Sequence, residues 1–328
     1  MRFFSRVPFT LLVPAIALVA LALARSSLDQ PPEEESAALA WLPLHRHGGE
    51  ARGADGLGLS FGEVRRSGQR IYAMGYPQSL RSEDGGVTWT ELPGGKGKAC
   101  NSAALRADGL VLIGCRAGMF RSVDGAGKWM EIDIPEDGLI SALSLDGSDV
   151  AAAGRSIILS KDAGVTWARV KAPAVNYGDI ARRDRTIIVV SGAGLVMRSA
   201  DGGVTWTQHW LPMPAMPVGV AFAGENIVAI AAIDGTVFRS TDDGVRWVAI
   251  RSPARARLRG IAFTRSGEGL AVGHWGEAIH STDAGLTWRR ERSGTHLHLS
   301  HVEADSSGAF LVVGMRETVL SVSTAARR

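Results

Sequence analysis

A short segment of the sequence, SADGGVTWTQH at residues 199–209, brings together side chains that can do chemistry. Ser199 could serve as a nucleophile, and Asp201, two residues later, could serve as a general acid or base. Catalysis would also require an acid or base partner close to each of them in space. The segment therefore forms either part of an active site or a specialised turn.

The same pattern occurs six times, and we call each copy a box. The five other boxes are SEDGGVTW from Ser82, SVDGAGKW from Ser122, SKDAGVTW from Ser160, STDDGVRW from Ser240 and STDAGLTW from Ser281. Successive serines lie 40, 38, 39, 41 and 41 residues apart, which is typical of a repeat architecture. Ser321 follows at the same spacing, but Ser323 replaces the aspartate and the tryptophan is missing.

Six near-identical active sites in one chain are implausible, and each box instead predicts a tight turn between two antiparallel strands. Ser and Asp side chains can bond to backbone amides a residue or two away, and the following tryptophan enters the next strand. We interpret these box side chains as structural: Ser82, Asp84, Trp89, Ser122, Asp124, Trp129, Ser160, Asp162, Trp167, Ser199, Asp201, Trp206, Ser240, Asp242, Trp247, Ser281, Asp283 and Trp288.

The segments around each box predict four short strands, and four strands in about 40 residues are typical of a β-propeller blade. The sequence predicts an all-β fold with seven blades, at residues 61–92, 99–132, 139–170, 175–209, 216–250, 257–291 and 297–323. The seventh blade lacks an outer strand. We expect ALAWLPLH, residues 38–45, to supply it and close the ring, with Trp41 placed like the box tryptophans.

The N-terminus predicts export from the cytoplasm. Residues 1–24 contain two arginines followed by an uncharged apolar run that ends in Ala22-Leu23-Ala24, which is typical of a cleaved signal peptide. The alternative is an uncleaved membrane anchor. Residues 25–37 predict an acidic, proline-containing tether before the propeller at 38–328. The location expected is periplasmic or extracellular.

Charge and cysteine content narrow the function further. Without residues 1–24 the chain has 34 basic and 33 acidic residues, which does not favour nucleic-acid binding. Its two cysteines, Cys100 and Cys115, flank a predicted hairpin in which Cys115 faces Ser102 and Cys100 is a diagonal neighbour. They form either a disulfide or two small buried apolar positions.

The form S-x-D-x-G-x-T-W resembles the Asp-box, or bacterial neuraminidase repeat, over residues 61–291. Proteins with this repeat include sialidases, secreted glycanases such as xyloglucanases, and propellers similar to the photosystem II stability and assembly factor. Sialidases use a tyrosine nucleophile, a glutamate and three arginines, whereas this chain has only Tyr72, Tyr76 and Tyr177. Xyloglucanases need two propellers, and this chain has the length of one.

The resemblance to the assembly-factor group covers nearly the whole mature chain, and residues 269–288 match its blade pattern best. It implies a monomeric, non-enzymatic propeller without a cofactor, which assists the assembly or stability of a membrane protein complex by binding its extracytoplasmic parts. The alternatives are a glycan-binding or glycoside-cleaving propeller and a purely structural periplasmic module. Carboxylates paired at the centre of the ring would favour a glycosidase.

The assembly-factor group is similar in carrying an arginine-rich patch, which could bind acidic loops of a partner or lipid headgroups. The alternative is a solvated loop with scattered charge. The residues predicted to bind a partner are Arg251, Arg255, Arg257, Arg259 and Arg265 in RSPARARLRGIAFTR, Arg182, Arg183 and Arg185 in ARRDR, and Trp210 in HWLPMPAMP. HWLPMPAMP could equally be a rigid connection between blades, and Trp275 also lies outside the boxes.

The segment THLHLSH contains three histidines, and alternation along a strand would place His296 and His298 on one face. With His301 they could bind a metal ion, but no acidic or cysteine ligand accompanies them at a familiar spacing. We therefore predict structural or rim histidines and no metal site.

Overall fold

The computed structural model describes residues 39–45, 60–92, 98–116, 118–135, 138–305 and 307–324. These residues form seven four-stranded antiparallel sheets, and one 3₁₀ turn lies among them at His274–Gly276. The predicted seven-bladed, all-β propeller is confirmed. The predicted leader at 1–24 and tether at 25–37 lie outside the described residues.

The strands follow the chain from the innermost to the outermost position of each blade. Strand β1 (Leu39–His45) precedes blade 1. Blades 1–3 contain β2 (Ser60–Ser67), β3 (Arg70–Tyr76), β4 (Leu80–Ser82), β5 (Thr90–Glu91), β6 (Cys100–Leu105), β7 (Val111–Cys115), β8 (Gly118–Ser122), β9 (Met130–Ile132), β10 (Ile140–Asp146), β11 (Asp149–Gly154), β12 (Ile157–Ser160) and β13 (Ala168–Arg169).

Blades 4–7 repeat this arrangement. They contain β14 (Tyr177–Arg183), β15 (Thr186–Ser191), β16 (Leu195–Ser199), β17 (Thr207–Trp210), β18 (Pro217–Phe222), β19 (Val228–Ala232), β20 (Val237–Ser240), β21 (Val248–Ile250), β22 (Leu258–Phe263), β23 (Gly269–Gly273), β24 (Ala278–Ser281), β25 (Arg289–Arg290), β26 (Leu299–Ala304), β27 (Phe310–Gly314) and β28 (Val319–Thr324). After blade 6 the chain continues with only the three strands β26, β27 and β28, so blade 7 needs a fourth strand from elsewhere in the chain.

The fourth strand of blade 7 is β1, from the other end of the propeller. It pairs antiparallel with β28, with Trp41 opposite Val322, so the predicted ring closure is confirmed. Trp41 packs against the apolar core between blades 6 and 7. Each box tryptophan lies in the corresponding core between its own blade and the preceding one, as Trp89 does between blades 7 and 1. Trp41 therefore occupies the equivalent position at the seventh boundary.

The hydrophobic core lies between blades. Seven clusters of buried side chains fill the seven boundaries of the described propeller, and each cluster takes residues from two adjacent sheets. The second strand of each blade is almost entirely buried, as VLIGC in β7 and VAIAA in β19 are. Burial on both faces of these strands explains their nearly continuous apolar sequence.

Every innermost strand has a β-bulge near its start, where one extra residue shifts the register with the second strand. In blade 2 the extra residue is Asn101, so Ser102 faces Gly114 and Cys100 directly faces Cys115. The predicted register, with Cys115 opposite Ser102, is wrong by two residues: the hairpin turn is one residue longer than predicted, and the bulge adds the second. Cys100 and Cys115 are joined by a disulfide bond and are fully buried.

Backbone hydrogen bonds define the two faces of the ring. On one face, which we call the connection face, the hairpin after the second strand meets the connection into the same blade in blades 2, 5, 6 and 7, as when His274 N–H donates to Arg257 O. On the opposite face, which we call the box face, each box meets the first hairpin of its blade, as when Gly202 N–H donates to Arg185 O. The start and the end of each innermost strand thus lie on different faces.

Candidate partner-binding face

The serine and aspartate side chains of the boxes form the hydrogen bonds of the turn. In blade 3 the Ser160 hydroxyl donates to Asp162 Oδ1 over 2.7 Å and accepts the Gly164 N–H over 2.8 Å. The Asp162 carboxylate also accepts the backbone N–H and the hydroxyl of Thr166, at 2.8 and 2.6 Å. Trp167 closes the turn by donating its indole N–H to Gly164 O over 3.2 Å. These contacts leave the serine and aspartate no catalytic partner.

The boxes are also linked to one another around the ring. A basic side chain next to the box serine donates to a backbone carbonyl of the following blade's box, as Arg198 Nε does to Asp243 O over 2.7 Å. The other links are Arg81 to Gly125 O, Arg121 to Ala163 O, Lys161 to Gly202 O and Arg239 to Ala284 O. The box face is therefore held together by its own basic residues.

The arginines predicted in ARRDR contact neighbouring groups on the box face. Arg182 has a side chain only 6% exposed and lies 3.1 Å from the Asp149 carboxylate of blade 3. Arg183 pairs with Asp243 of blade 5 at 2.9 Å and stacks over the Phe222 ring at 4.5 Å. These two arginines connect blade 4 to both of its neighbours.

The predicted arginine patch is divided between the two faces. Arg185 donates to Asp201 O on the box face, and Arg265 is exposed in the first hairpin of blade 6, on that same face. The four arginines from Arg251 to Arg259 lie on the connection face, before or at the start of β22. Strand β22 separates Arg265 from the connection into blade 6, so the predicted partner-binding arginines do not share one surface.

The connection face carries arginines that pair with no carboxylate of the described residues. Arg251, Arg255 and Arg257 are exposed in the connection between blades 5 and 6, and Arg259 is exposed at the bulge of β22. Among the described residues, no carboxylate lies within ion-pair distance of any of these four guanidinium groups. Their charge is available to an external anion, whereas Arg182 and Arg183 on the box face are paired with carboxylates.

Exposed apolar side chains lie in the same sector of the connection face. Trp210 is 64% exposed at the end of blade 4, and Met213 and Met216 are exposed in the loop that follows it. Trp275 is 69% exposed in the hairpin of blade 6 and has a left-handed backbone, with φ of 57°. A large aromatic residue rarely adopts this conformation. This sector, blades 4–6 of the connection face, is called the docking sector below.

The three predicted histidines do not form a site together. Strand β26 begins at Leu299, so His296 and His298 precede it and do not alternate along a strand. The His298 ring lies 4.6 Å from the Trp275 ring and its Nδ1 accepts the Trp275 N–H, whereas His301 faces the central channel. Among the described residues, no three His, Cys, Asp or Glu side chains are placed to hold a metal ion.

The central channel contains ionisable side chains that the sequence pattern did not single out. Glu63 Oε1 lies 2.8 Å from Arg65 Nε and accepts the Ala103 N–H of blade 2. Asp179 accepts the Val220 N–H of blade 5 over 2.8 Å. Both carboxyls thus bond to the free edge of the next innermost strand. Burial raises the pKa of Glu63 to about 8 and that of Asp179 to about 6.

Blade 7 contributes two further groups to the channel. Glu303 Oε2 accepts the Arg66 N–H of blade 1 over 2.8 Å, and burial raises the pKa of Glu303 to about 7. His301 Nδ1 accepts the Val64 N–H, and burial with the nearby Arg65 charge lowers the pKa of His301. In the sequence, each of these channel residues is a polar side chain within an otherwise apolar innermost strand. It stands either directly after the bulge residue or two positions beyond that.

The channel lacks the tyrosine that a sialidase requires. Tyr72 and Tyr177 are buried in the cores between blades, and the Tyr177 hydroxyl donates to Pro173 O. Tyr76 is half-exposed and lies at the connection face. The cavity in the channel, about 390 Å³, is lined by none of the three. The arrangement of tyrosine, glutamate and three arginines expected of a sialidase is therefore missing from the described channel.

Comparisons with known proteins agree on the fold. No protein-family model matches the chain, and no curated protein matches its sequence. The chain is similar to YCF48 from Cyanidioschyzon merolae, with a TM-score of 0.67, 16% identity and coverage of 87% of this chain and 98% of that one. It is also similar to YCF48 bound to D1 peptide, with a TM-score of 0.72, 16% identity and coverage of 91% and 99%.

An enzyme also shares the architecture. A catalytically inactive virginiamycin B lyase from Staphylococcus aureus, with quinupristin, has a TM-score of 0.70, 14% identity and coverage of 88% of this chain and 99% of that one. At these identities the similarities show the fold alone, and propellers of this fold include both a peptide-bound protein and a lyase. The described residues contain no helix with the length and hydrophobicity of a membrane span.

Proposed function

We propose that this protein is a non-enzymatic, extracytoplasmic propeller that binds a membrane protein complex and assists its assembly or stability. The observation that carries the proposal is the set of docking-sector arginines that pair with no carboxylate of the described residues, Arg251, Arg255, Arg257 and Arg259, in the sector that also exposes Trp210 and Trp275. Arginine and tryptophan are enriched at the energetic centres of protein interfaces. The partner surface is acidic.

Three further observations support this proposal. The first is that Arg182 and Arg183, on the box face, are paired with carboxylates of neighbouring blades. A propeller of the same fold, YCF48, has been solved with a D1 peptide, so the architecture can hold a peptide. The Cys100–Cys115 disulfide suits an oxidising compartment outside the cytoplasm, which fits the apolar leader in the sequence.

The experiment is affinity capture of the tagged full chain from crosslinked, detergent-solubilised membranes, with mass spectrometry of the recovered proteins. The test variant carries Arg255→Glu and Arg257→Glu, and the matched control carries Arg185→Glu and Arg265→Glu on the box face. We expect a defined membrane complex with the parent and the control, and its loss with the test variant. Equal recovery with both variants would refute the assignment to this face.

The second candidate function is glycoside hydrolysis. It is favoured by one observation, the raised pKa values of Glu63, Asp179 and Glu303 in the central channel, because glycosidases pair a protonated with an ionised carboxyl. The hydrogen bonds from these carboxyls to neighbouring innermost strands already account for their presence. Hydrolysis of glycoside substrates by the parent, lost in Asp179→Asn, would support this candidate over the first.

A further inference from the structure

A second cavity opens on the connection face at the mouth of the channel. It has a volume of about 720 Å³ and lies among blades 6, 7, 1 and 2. Its lining includes the fully buried Phe61, the half-exposed Tyr76 and the bulge residues Asn101 and Ser300. The cavity thus combines an apolar floor with hydrogen-bonding groups at its rim. We call it the mouth pocket.

The mouth pocket is positively charged. Among the described residues, its ionisable lining groups, Tyr76 aside, are Lys98, Arg116 and Arg259, and none is acidic. Lys98 is already engaged, since its ammonium lies 2.9 Å from a Glu131 carboxylate oxygen. Among the described residues, Arg116 and Arg259 have no carboxylate within ion-pair distance. Two guanidinium groups from non-adjacent blades therefore line one cavity, and neither is neutralised by a carboxylate of the described residues.

The β-bulges explain why these side chains reach the pocket. Arg259 is the extra residue of β22, and the equivalent positions of blades 7, 1 and 2 are Ser300, Gly62 and Asn101. A bulge turns the side chain of its extra residue away from the regular alternation. Gly62, Asn101 and Ser300 are small and leave open space, and Arg259 places a cation beside that space.

We propose that the mouth pocket binds a carboxylate of a peptide, held between Arg116 and Arg259. The inference rests on the proposed function, because the peptide would continue from the pocket across Arg257 and Trp275 of the docking sector. A guanidinium group binds carboxylates through two parallel hydrogen bonds, and a cavity of this size accepts one or two residues. An acidic side chain and a free C-terminus share this chemistry.

The experiment uses two degenerate octapeptide pools, one with free and one with amidated C-termini. Each pool is equilibrated with immobilised full-length protein, and the retained peptides are sequenced by mass spectrometry. The pocket variant is Arg116→Gln with Arg259→Gln, and the matched control is Arg155→Gln with Arg292→Gln. Arg155 and Arg292 are exposed on the same face but do not line the pocket. Equal melting temperatures would establish that both variants are folded.

We expect the parent and the control to enrich carboxylate-bearing peptides about tenfold or more, and the pocket variant to lose this enrichment. Enrichment confined to the free-terminus pool assigns the terminal carboxylate, and enrichment of Asp or Glu in both pools assigns a side chain. No enrichment by the parent, or enrichment that persists in the pocket variant, overturns the inference. Membrane capture is tested with a different pair of residues, Arg255 and Arg257. A failure of the mouth-pocket inference therefore leaves the proposed function untouched.

Discussion

Single residues in the central channel are held in ionisation states that differ from those in the unfolded chain. Glu303 is largely buried and accepts only one backbone hydrogen bond, so desolvation outweighs its contact with Arg65, 3.8 Å away. The six box aspartates behave in the opposite way. Hydrogen bonds from the side chain and backbone of Thr88, for example, lower the pKa of Asp84 to about 2. Stability therefore depends on pH in two separate windows.

The first prediction concerns the window between about pH 4.5 and 7, in which Glu303 titrates. The pKa of Glu303 rises from 4.5 to about 7 on folding, so the folded state binds more protons between these values. Its contribution to stability is present below about pH 4.5 and is lost as pH rises through about 7. We expect the free energy of unfolding to fall by about 2–3 kcal/mol over this range from Glu303 alone.

Urea denaturation at a series of pH values measures this effect. The variant Glu303→Gln cannot ionise, so we expect its stability to depend less steeply on pH than that of the parent. Glu225→Gln, at an exposed position in the first hairpin of blade 5, is the control and should retain the parent's dependence. Identical pH profiles for Glu303→Gln and the parent would contradict the prediction.

At the scale of elements, closure of the ring depends on β1. This strand satisfies the outer edge of β28, and its register with β28 brings Trp41 over the last core boundary. The indole N–H of Trp41 has no hydrogen-bond partner among the described residues, unlike that of Trp167, which donates to Gly164 O. The closing strand therefore reproduces the packing of a box tryptophan without the box turn.

The second prediction tests this packing. We expect Trp41→Ala to destabilise the propeller by about 3 kcal/mol, because it empties space at the boundary between blades 6 and 7. Leu42→Ala is the control, since Leu42 is 60% exposed on the same strand and should cost less than about 0.5 kcal/mol. Both values come from urea denaturation. Equal effects of the two substitutions would show that β1 does not carry the closure.

At the scale of the whole molecule, the two faces differ in whether their arginines are paired with groups of the protein. On the box face, arginines bond to carboxylates and carbonyls of adjacent blades, and these contacts hold the ring together. On the connection face, Arg251, Arg255, Arg257 and Arg259 are exposed, and no carboxylate of the described residues lies within ion-pair distance of them. A folded protein gains little stability from such groups, so their presence fits binding better than folding.

The third prediction compares one arginine from each face. Arg182→Ala leaves the half-buried Asp149 with one basic partner fewer, and we expect a loss of about 2 kcal/mol. Arg257→Ala removes an exposed, unpaired side chain and should change stability by less than about 0.5 kcal/mol. Thermal and urea unfolding measure both variants. A destabilised Arg257→Ala would indicate a structural role for the docking sector.

Much of the architecture could be predicted from the sequence because a blade is a local unit. The hydrogen bonds of a box join residues no more than four apart, such as Ser160 with Gly164 and Asp162 with Thr166. Spacing alone therefore predicted the number of blades and their order. The missing tryptophan of blade 7 and the extra one at position 41 predicted the closing strand, since an open ring would leave two unpaired edges.

The channel, the mouth pocket and the two faces could be found only in the tertiary structure, because their residues are distant in sequence. Val64 and His301, which meet in the channel, are 237 residues apart. The β-bulges that turn Arg259 into the pocket and align Cys100 with Cys115 depend on pairing between strands. Sequence alone identified the arginine-rich segments, and the fold decided which of their arginines pair with carboxylates among the described residues and which do not, because only packing brings opposite charges together.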